Sequence, residues 1–229
     1  MNKNRFFKPI VWVEGNIGAG KSTFTGDFAR FLGYRPFFEL ADQNPYLKLF
    51  YEDFKRWAFP MQIHLMQRRY AQHQLAAYES ISHSEWNGCI IDRGLPGDRV
   101  FAEAHYDDNN IHELEWQTYQ EFYELMTRTL TPPAVLIYLD ASPEVCYERA
   151  RGDSASRNRD SETPMEDDEF YKYLVKLETY YFRLIDDIQQ GFHAWSSGIT
   201  VHKLNWNINS LNPQRLAPIF SRLKVELDL

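Results

Sequence analysis

Gly15-Asn16-Ile17-Gly18-Ala19-Gly20-Lys21-Ser22 follows the apolar run Ile10-Val11-Trp12-Val13 and precedes a segment of helical spacing. The stretch fits G-x-x-x-x-G-K-[ST] in strand-loop-helix context, and the chemistry of that pattern is phosphate binding. Glycines let backbone amides converge on phosphate oxygens, and the next helix turns its positive end toward them. Lysine supplies a cation, and the serine hydroxyl is a ligand for Mg²⁺. Gly15 to Ser22, with Thr23 beside them, therefore read as the cradle of a nucleoside triphosphate. The competing explanation, a glycine-rich turn, needs three glycines and Lys-Ser together by accident. The loop identifies a phosphate donor and leaves the acceptor open.

Other residues could supply the acceptor chemistry. Phe37-Phe38 leads to Glu39, a carboxylate at the end of a short strand, where it is either an acid/base group or a solvated terminus. Gly88 to Asp92 reads as a buried strand that ends in Asp92-Arg93. An acid there can hold Mg²⁺ and the arginine can reach phosphates, or the two form a structural ion pair. Gln62, Met66, Arg69 and His73 share one helical face, as a ligand-facing set or a polar surface stripe. Arg149, Arg151, Arg157 and Arg159 fall in a polar stretch with Gly152, Asp153, Ser154 and Ser156. Its composition predicts a mobile lid that closes on a triphosphate, or else a solvated loop. Asp140, at the end of a buried strand, is read as structural.

The elements that must position these groups alternate strand and helix. The alternation predicts a doubly wound α/β fold with a parallel sheet of about five strands. Helices are predicted from Pro60 to about Ser82, His112 to Leu130 and Glu166 to Gln190, with Ser142 capping one that starts at Pro143 and Asn212-Pro213 opening the last. The 229 residues suit a single domain, 1–229, with a lid at about 151–162. A net charge of −7, from 25 basic and 32 acidic side chains, speaks against general nucleic-acid or anionic-membrane binding. Cys89 and Cys146 lack metal spacing and read as buried thiols of a reducing compartment. No run of about 18 apolar residues occurs, so the expected location is cytoplasmic.

Taken in order, the phosphate loop, Glu39, Tyr51, Arg56-Trp57, Gln62, Arg69, Asp92-Arg93, Asp98 and Arg157-x-Arg159-x-x-Glu162 resemble the deoxyribonucleoside kinase family, in its deoxycytidine, deoxyguanosine and deoxyadenosine kinase branch. The resemblance implies a P-loop kinase fold and 5′-phosphorylation of a deoxyribonucleoside by ATP with Mg²⁺. It implies that Glu39 is the general base on the 5′-hydroxyl, that Arg93 positions that base and the transferring phosphoryl, and that Asp92 with Ser22 serves the metal. Lys21 and the lid arginines would neutralise developing charge. It further places Tyr51 and Glu162 on the 3′-hydroxyl, and Gln62, Arg69 and Asp98 on the base edge. Trp57 and Met61 become walls of the base pocket, Phe101 a stacking ring, Arg149 a platform for the donor adenine, and Arg157 and Arg159 phosphate grips. A homodimer through helices near 60–82 and 112–130 is also implied.

The chain departs from the family pattern in three places. Gly94 stands where the family has Ser after the acid-Arg pair, the segment before Phe101 is about one residue shorter, and Gly152 to Ala155 lengthen the lid. A thymidylate-type nucleoside monophosphate kinase shares the loop, the Asp-Arg pair and the lid. It phosphorylates an acceptor that is already an anion, which leaves Glu39 without a purpose. A non-catalytic relative would have no reason to carry Lys21, Ser22, Glu39, Asp92 and Arg93 together.

Overall fold

The computed structural model describes residues 7–39, 44–82, 85–152, 165–193, 195–208 and 213–229. Among these residues five strands form one parallel sheet: β1 Ile10–Glu14, β2 Arg35–Phe37, β3 Cys89–Asp92, β4 Val135–Asp140 and β5 Thr200–Asn205, in the order β2-β3-β1-β4-β5. The three central strands are apolar almost throughout because helices cover both faces, whereas β5, at an edge, is mostly half-buried or exposed. Side-chain alternation divides the core. Val11, Val13, Ile90 and Ile137 meet one set of helices, while Trp12, Ile91, Leu136 and Tyr138 meet the other.

Register brings the chemistry to one edge. Val13 pairs with Asp92 and Glu14 with Tyr138, so β1 and β3 end side by side, and β2 ends beside β3 two residues before Glu39. The strand order reverses direction at β1, and the loop leaving β1 sits at the carboxyl ends of the strands, where open α/β sheets bind ligands. Helix α1, Lys21–Leu32, follows that loop and packs Phe24, Phe28 and Leu32 inward, while Phe31 stays 41% exposed.

The remaining helices are α2 Leu47–Glu52, α3 Phe54–Ile81, α4 Leu95–Asp107, α5 Glu113–Thr127, α6 Pro143–Gly152, α7 Asp167–Gln189 and α8 Pro213–Glu226. Two differ from expectation. Helix α3 begins six residues before Pro60, because Asp53 caps it by accepting from the Arg56 amide at 3.0 Å. Pro60 lies inside the helix, where it removes one backbone hydrogen bond and crowds the carbonyl four residues back, a local cost that the helix carries. Helix α6 also reaches Gly152, so Arg149 and Arg151 are helical rather than part of a loop. Arg149 is held by backbone carbonyls, and Arg151 by Met165 O at 2.7 Å and Asp167 at 3.0 Å. Arg157, Arg159 and Glu162 lie outside the described residues.

The polar stripe of α3 faces inward. Gln62, Met66, Arg69 and His73 are all buried, at 1%, 0%, 4% and 3% exposure. Cys89 and Cys146 are buried free thiols. Among the described residues no helix is long and apolar enough to cross a membrane.

Candidate active site

The phosphate loop is held open from behind. Gly18 has φ 76°, and a Cβ there would lie 2.1 Å from the Cys146 carbonyl oxygen, so only glycine fits against α6. Asn16 Nδ2 donates to Leu174 O on α7 at 2.8 Å, and Asn16 Oδ1 accepts from the Ile17 amide at 2.8 Å. Arg149 spends its guanidinium on three carbonyls, Ala19 (2.9 Å), Trp206 (2.9 Å) and Ile208 (2.8 Å), which joins the loop to the segment after β5. Lys21 is buried and donates to Asn16 O at 2.9 Å. Burial and then the Arg93 cation pull its ammonium down to about 8, an environment in which an anionic partner is strongly favoured.

At the end of β3, Asp92 is 1% exposed and neither oxygen has a well-formed hydrogen bond, with the Ser22 hydroxyl beside it. Burial pushes its carboxyl up, and Lys21 draws it back. An unsatisfied buried carboxylate next to a hydroxyl suits Mg²⁺, which takes few protein oxygens and completes its shell with water and phosphate. Arg93 follows in a left-handed conformation, φ 61°. Its Nε donates to Glu39 Oε2 at 3.0 Å, its Nη1 to the Tyr181 hydroxyl, and its guanidinium lies 4.6 Å from the Phe101 ring centre.

Glu39 joins two guanidiniums. Its other oxygen accepts from Arg69 Nη2, while Arg69 Nη1 binds Asp98 Oδ1 and the Tyr119 hydroxyl donates to Asp98 Oδ2 at 2.7 Å. Burial raises the Glu39 carboxyl, but Arg93, Arg69 and Lys21 together bring it down to about 2. The side chain keeps 22% exposure and faces a cavity of about 210 Å³. Ile17, Gly18, Lys21, Ser22, Tyr51, Met61, Gln62, Arg69, Arg93 and Phe101 line the same cavity. Gln62 Oε1 is buried without a partner, as an amide reserved for a ligand would be. Asp98 stands behind Arg69 rather than in the wall, and Trp57 is outside it, packed on Tyr46 (5.9 Å) with Arg56 over its ring (4.7 Å).

The family model for deoxynucleoside kinases matches residues 11–214. The chain belongs to the deoxynucleoside kinase family. It is 31% identical to the deoxyguanosine kinase of Dictyostelium discoideum and 30% to that organism's deoxyadenosine kinase. Each alignment spans 90% of this chain, and they cover 67% and 76% of those proteins. A deoxyadenosine/deoxycytidine kinase of Bacillus subtilis is 36% identical over 143 residues, 61% of this chain and 63% of that protein. A structure of deoxyadenosine kinase from M. mycoides with bound dCTP superposes with a TM-score of 0.72 at 25% identity, covering 94% of this chain and 99% of that one.

Sequence reasoning passed over several groups that this deoxynucleoside kinase builds into or beneath its cavity. His105 and Tyr173 line it, and Glu14 lies under it at 0% exposure. A glutamate closing an otherwise apolar buried strand was the available signal for Glu14. The buried titratable groups also set the acid stability of the kinase. Burial, with Arg69, holds His73 at about 3, and burial holds His105 at about 4, so below the ordinary value of 6.5 the unfolded chain carries two protons that the folded chain does not. Stability falls as pH drops. Glu14, raised by burial to about 7, works in the opposite sense by one proton between about 7 and 4.5. The net loss from pH 6 to 5 is on the order of 1 kcal/mol, and His64 and His193, also lowered by burial, add to it. Below 4.5 Glu39 steepens the fall. Urea midpoints at pH 7, 6, 5 and 4 measure this, and His105→Phe should flatten the slope between 6 and 5. An unchanged slope in that variant would refute the assignment.

Proposed function

We propose that this deoxynucleoside kinase transfers the γ-phosphoryl of ATP to the 5′-hydroxyl of deoxyadenosine, deoxyguanosine or deoxycytidine, with Glu39 as general base. The observation that carries this is one cavity holding the Glu39 carboxylate together with Lys21 and Ser22 of the phosphate loop. A sugar hydroxyl is a poor nucleophile and requires a carboxylate within hydrogen-bond reach as its proton moves. A phosphate acceptor requires none, so the thymidylate-type alternative leaves Glu39 unexplained. The names of the relatives support the same three nucleosides.

In this reading the amides of Gly15 to Ser22 and Thr23 receive the donor phosphates, and Lys21 regains full charge beside them. Ser22 and Asp92 would hold Mg²⁺, which would supply positive charge against the donor phosphates. Arg93 orients Glu39 and reaches the transferring group, and Arg157 and Arg159 take the role of phosphate grips that the family resemblance implies. Gln62 and Arg69 read the base edge, Asp98 anchors Arg69, Met61 and Phe101 enclose the base, and Tyr51 with Glu162 hold the 3′-hydroxyl. Trp57, which the family resemblance makes a wall of the base pocket, packs on Tyr46 outside the cavity. Arg149, whose guanidinium holds the loop at the Ala19 carbonyl, is the platform for the donor adenine that the family resemblance implies. When the base takes hydrogen bonds from Arg69, Glu39 loses part of one cationic partner and its basicity rises. Substrate recognition thereby strengthens the base.

The enzyme acts in the cytoplasm, where two buried thiols remain reduced. It forms a homodimer through α3 and α5, which expose Leu75 and Tyr78 (42% and 65%) and Phe122 and Leu125 (43% and 62%). A monomeric mass by light scattering at micromolar concentration would remove the dimer. The decisive experiment for the activity is a coupled assay with ATP and Mg²⁺ of deoxynucleosides against their monophosphates. Turnover is expected on the nucleosides, and turnover on monophosphates alone would overturn the proposal.

A further inference from the structure

The first turn of α4 has no cap of its own. Gly94 occupies the cap position without a side chain, and Pro96 has no amide hydrogen. The amides of Gly94 and Leu95 are nonetheless both paired, each with a buried side chain from another element. Gly94 N donates to Glu14 Oε1 from the end of β1 at 2.8 Å, and Leu95 N to His73 Nε2 from α3 at 2.9 Å. Just before them, Arg93 sits at φ 61°, a strained conformation for a side-chain-bearing residue that persists only where its surroundings hold it. The Arg93 amide itself is tied to Val13 O at 2.9 Å.

We propose that Glu14 and His73 are positioning residues that clamp the Gly94 and Leu95 amides, hold Arg93 in its left-handed turn, and so aim its guanidinium at Glu39. The proposal rests on the reading of Arg93 given above. Local shape agrees with it. A Cβ at Gly94 would lie 3.2 Å from His73 Nε2 and 3.3 Å from Glu14 Oε1, and one at Gly97 would lie 2.2 Å from Glu14 Oε2. Both glycines make room for the clamp. Gly94, where the family pattern has serine, thus lies at the point where acceptors from β1 and α3 take the first amides of the helix. His73 stays neutral down to about 3 through burial, and its ring stands edge-on to Trp12 at 4.7 Å, which directs the Nε2 lone pair at Leu95. Glu14 needs an acceptor oxygen for this task and no particular charge.

A double-mutant cycle on turnover tests the clamp. Glu14→Ala is expected to lower kcat about 10- to 100-fold, the cost of misplacing a transition-state group, with KM for ATP nearly unchanged. Glu14→Gln, which retains the acceptor, recovers most of the loss. In an Arg93→Ala background Glu14→Ala adds less than about two-fold, because the group it positions is gone. His73→Phe keeps the ring against Trp12 but removes the acceptor, and it runs the same cycle should Glu14→Ala not fold. An equal loss in both backgrounds, or no loss in either variant, overturns the clamp while leaving Arg93 catalytic. Near wild-type turnover in Arg93→Ala alone overturns the reading of Arg93, and the clamp's purpose with it.

Discussion

Glu39→Gln is expected to lower kcat by a factor on the order of 10² or more while KM for ATP changes little. The amide keeps the size and one acceptor oxygen, so substrate still binds, but it cannot take the hydroxyl proton as transfer proceeds. The same substitution removes the anion shared by Arg93 and Arg69, two guanidiniums that are 4% exposed. Arg93 then points at a neutral group and the two cations repel across it, so the expected loss exceeds that of a base alone. The thermal midpoint should fall as well, since a buried cation loses its counter-charge. Single-turnover kinetics at saturating ATP separate the chemical step from binding. A rate close to wild type would remove Glu39 from the mechanism.

Arg69→Ala is expected to raise KM for the deoxynucleoside about 10- to 100-fold, the worth of hydrogen bonds to a charged group, with little effect on KM for ATP. The network adds a second consequence. Asp98 is 0% exposed and would keep only Tyr119, so the variant leaves a buried carboxylate without its cation at a stability cost of about 3–5 kcal/mol. Urea unfolding of Arg69→Ala, Asp98→Asn and the double variant should show the double variant recovering part of the single losses, since the unpaired charge is then absent. Equal effects on both Michaelis constants would contradict base reading, and additive unfolding losses would contradict the pair.

Residues that act through neighbours in the chain were legible before any fold was known. Gly15 to Ser22 is one such set: its glycines, lysine and serine work as a contiguous loop between a strand and a helix, and spacing alone carries their chemistry. The order of strands and helices likewise implied the parallel sheet, because each buried strand is a continuous apolar run. Asp92-Arg93 and Glu39 could be placed at strand ends from local pattern. Helix boundaries were less legible, since Pro60 resembles a start and the cap that begins α3 is Asp53.

Direction and depth were decided by the tertiary structure. Spacing put Gln62, Met66, Arg69 and His73 on one face of α3, but a helix has the same spacing whether that face meets water or the sheet. Packing on the sheet side turned the stripe inward and made Arg69 a bridge between Glu39 and Asp98, residues thirty and twenty-nine positions away along the chain. Glu14 was hidden for the same reason: its partners at Gly94 and Gly97 are about eighty residues distant and meet it only because β1 and β3 lie in register. The sequence by itself determined a phosphate-binding loop in an α/β kinase fold, with Glu39 at the end of a strand. Which arginines hold that carboxylate, and what holds the arginines, depends on long-range contacts that no local spacing encodes.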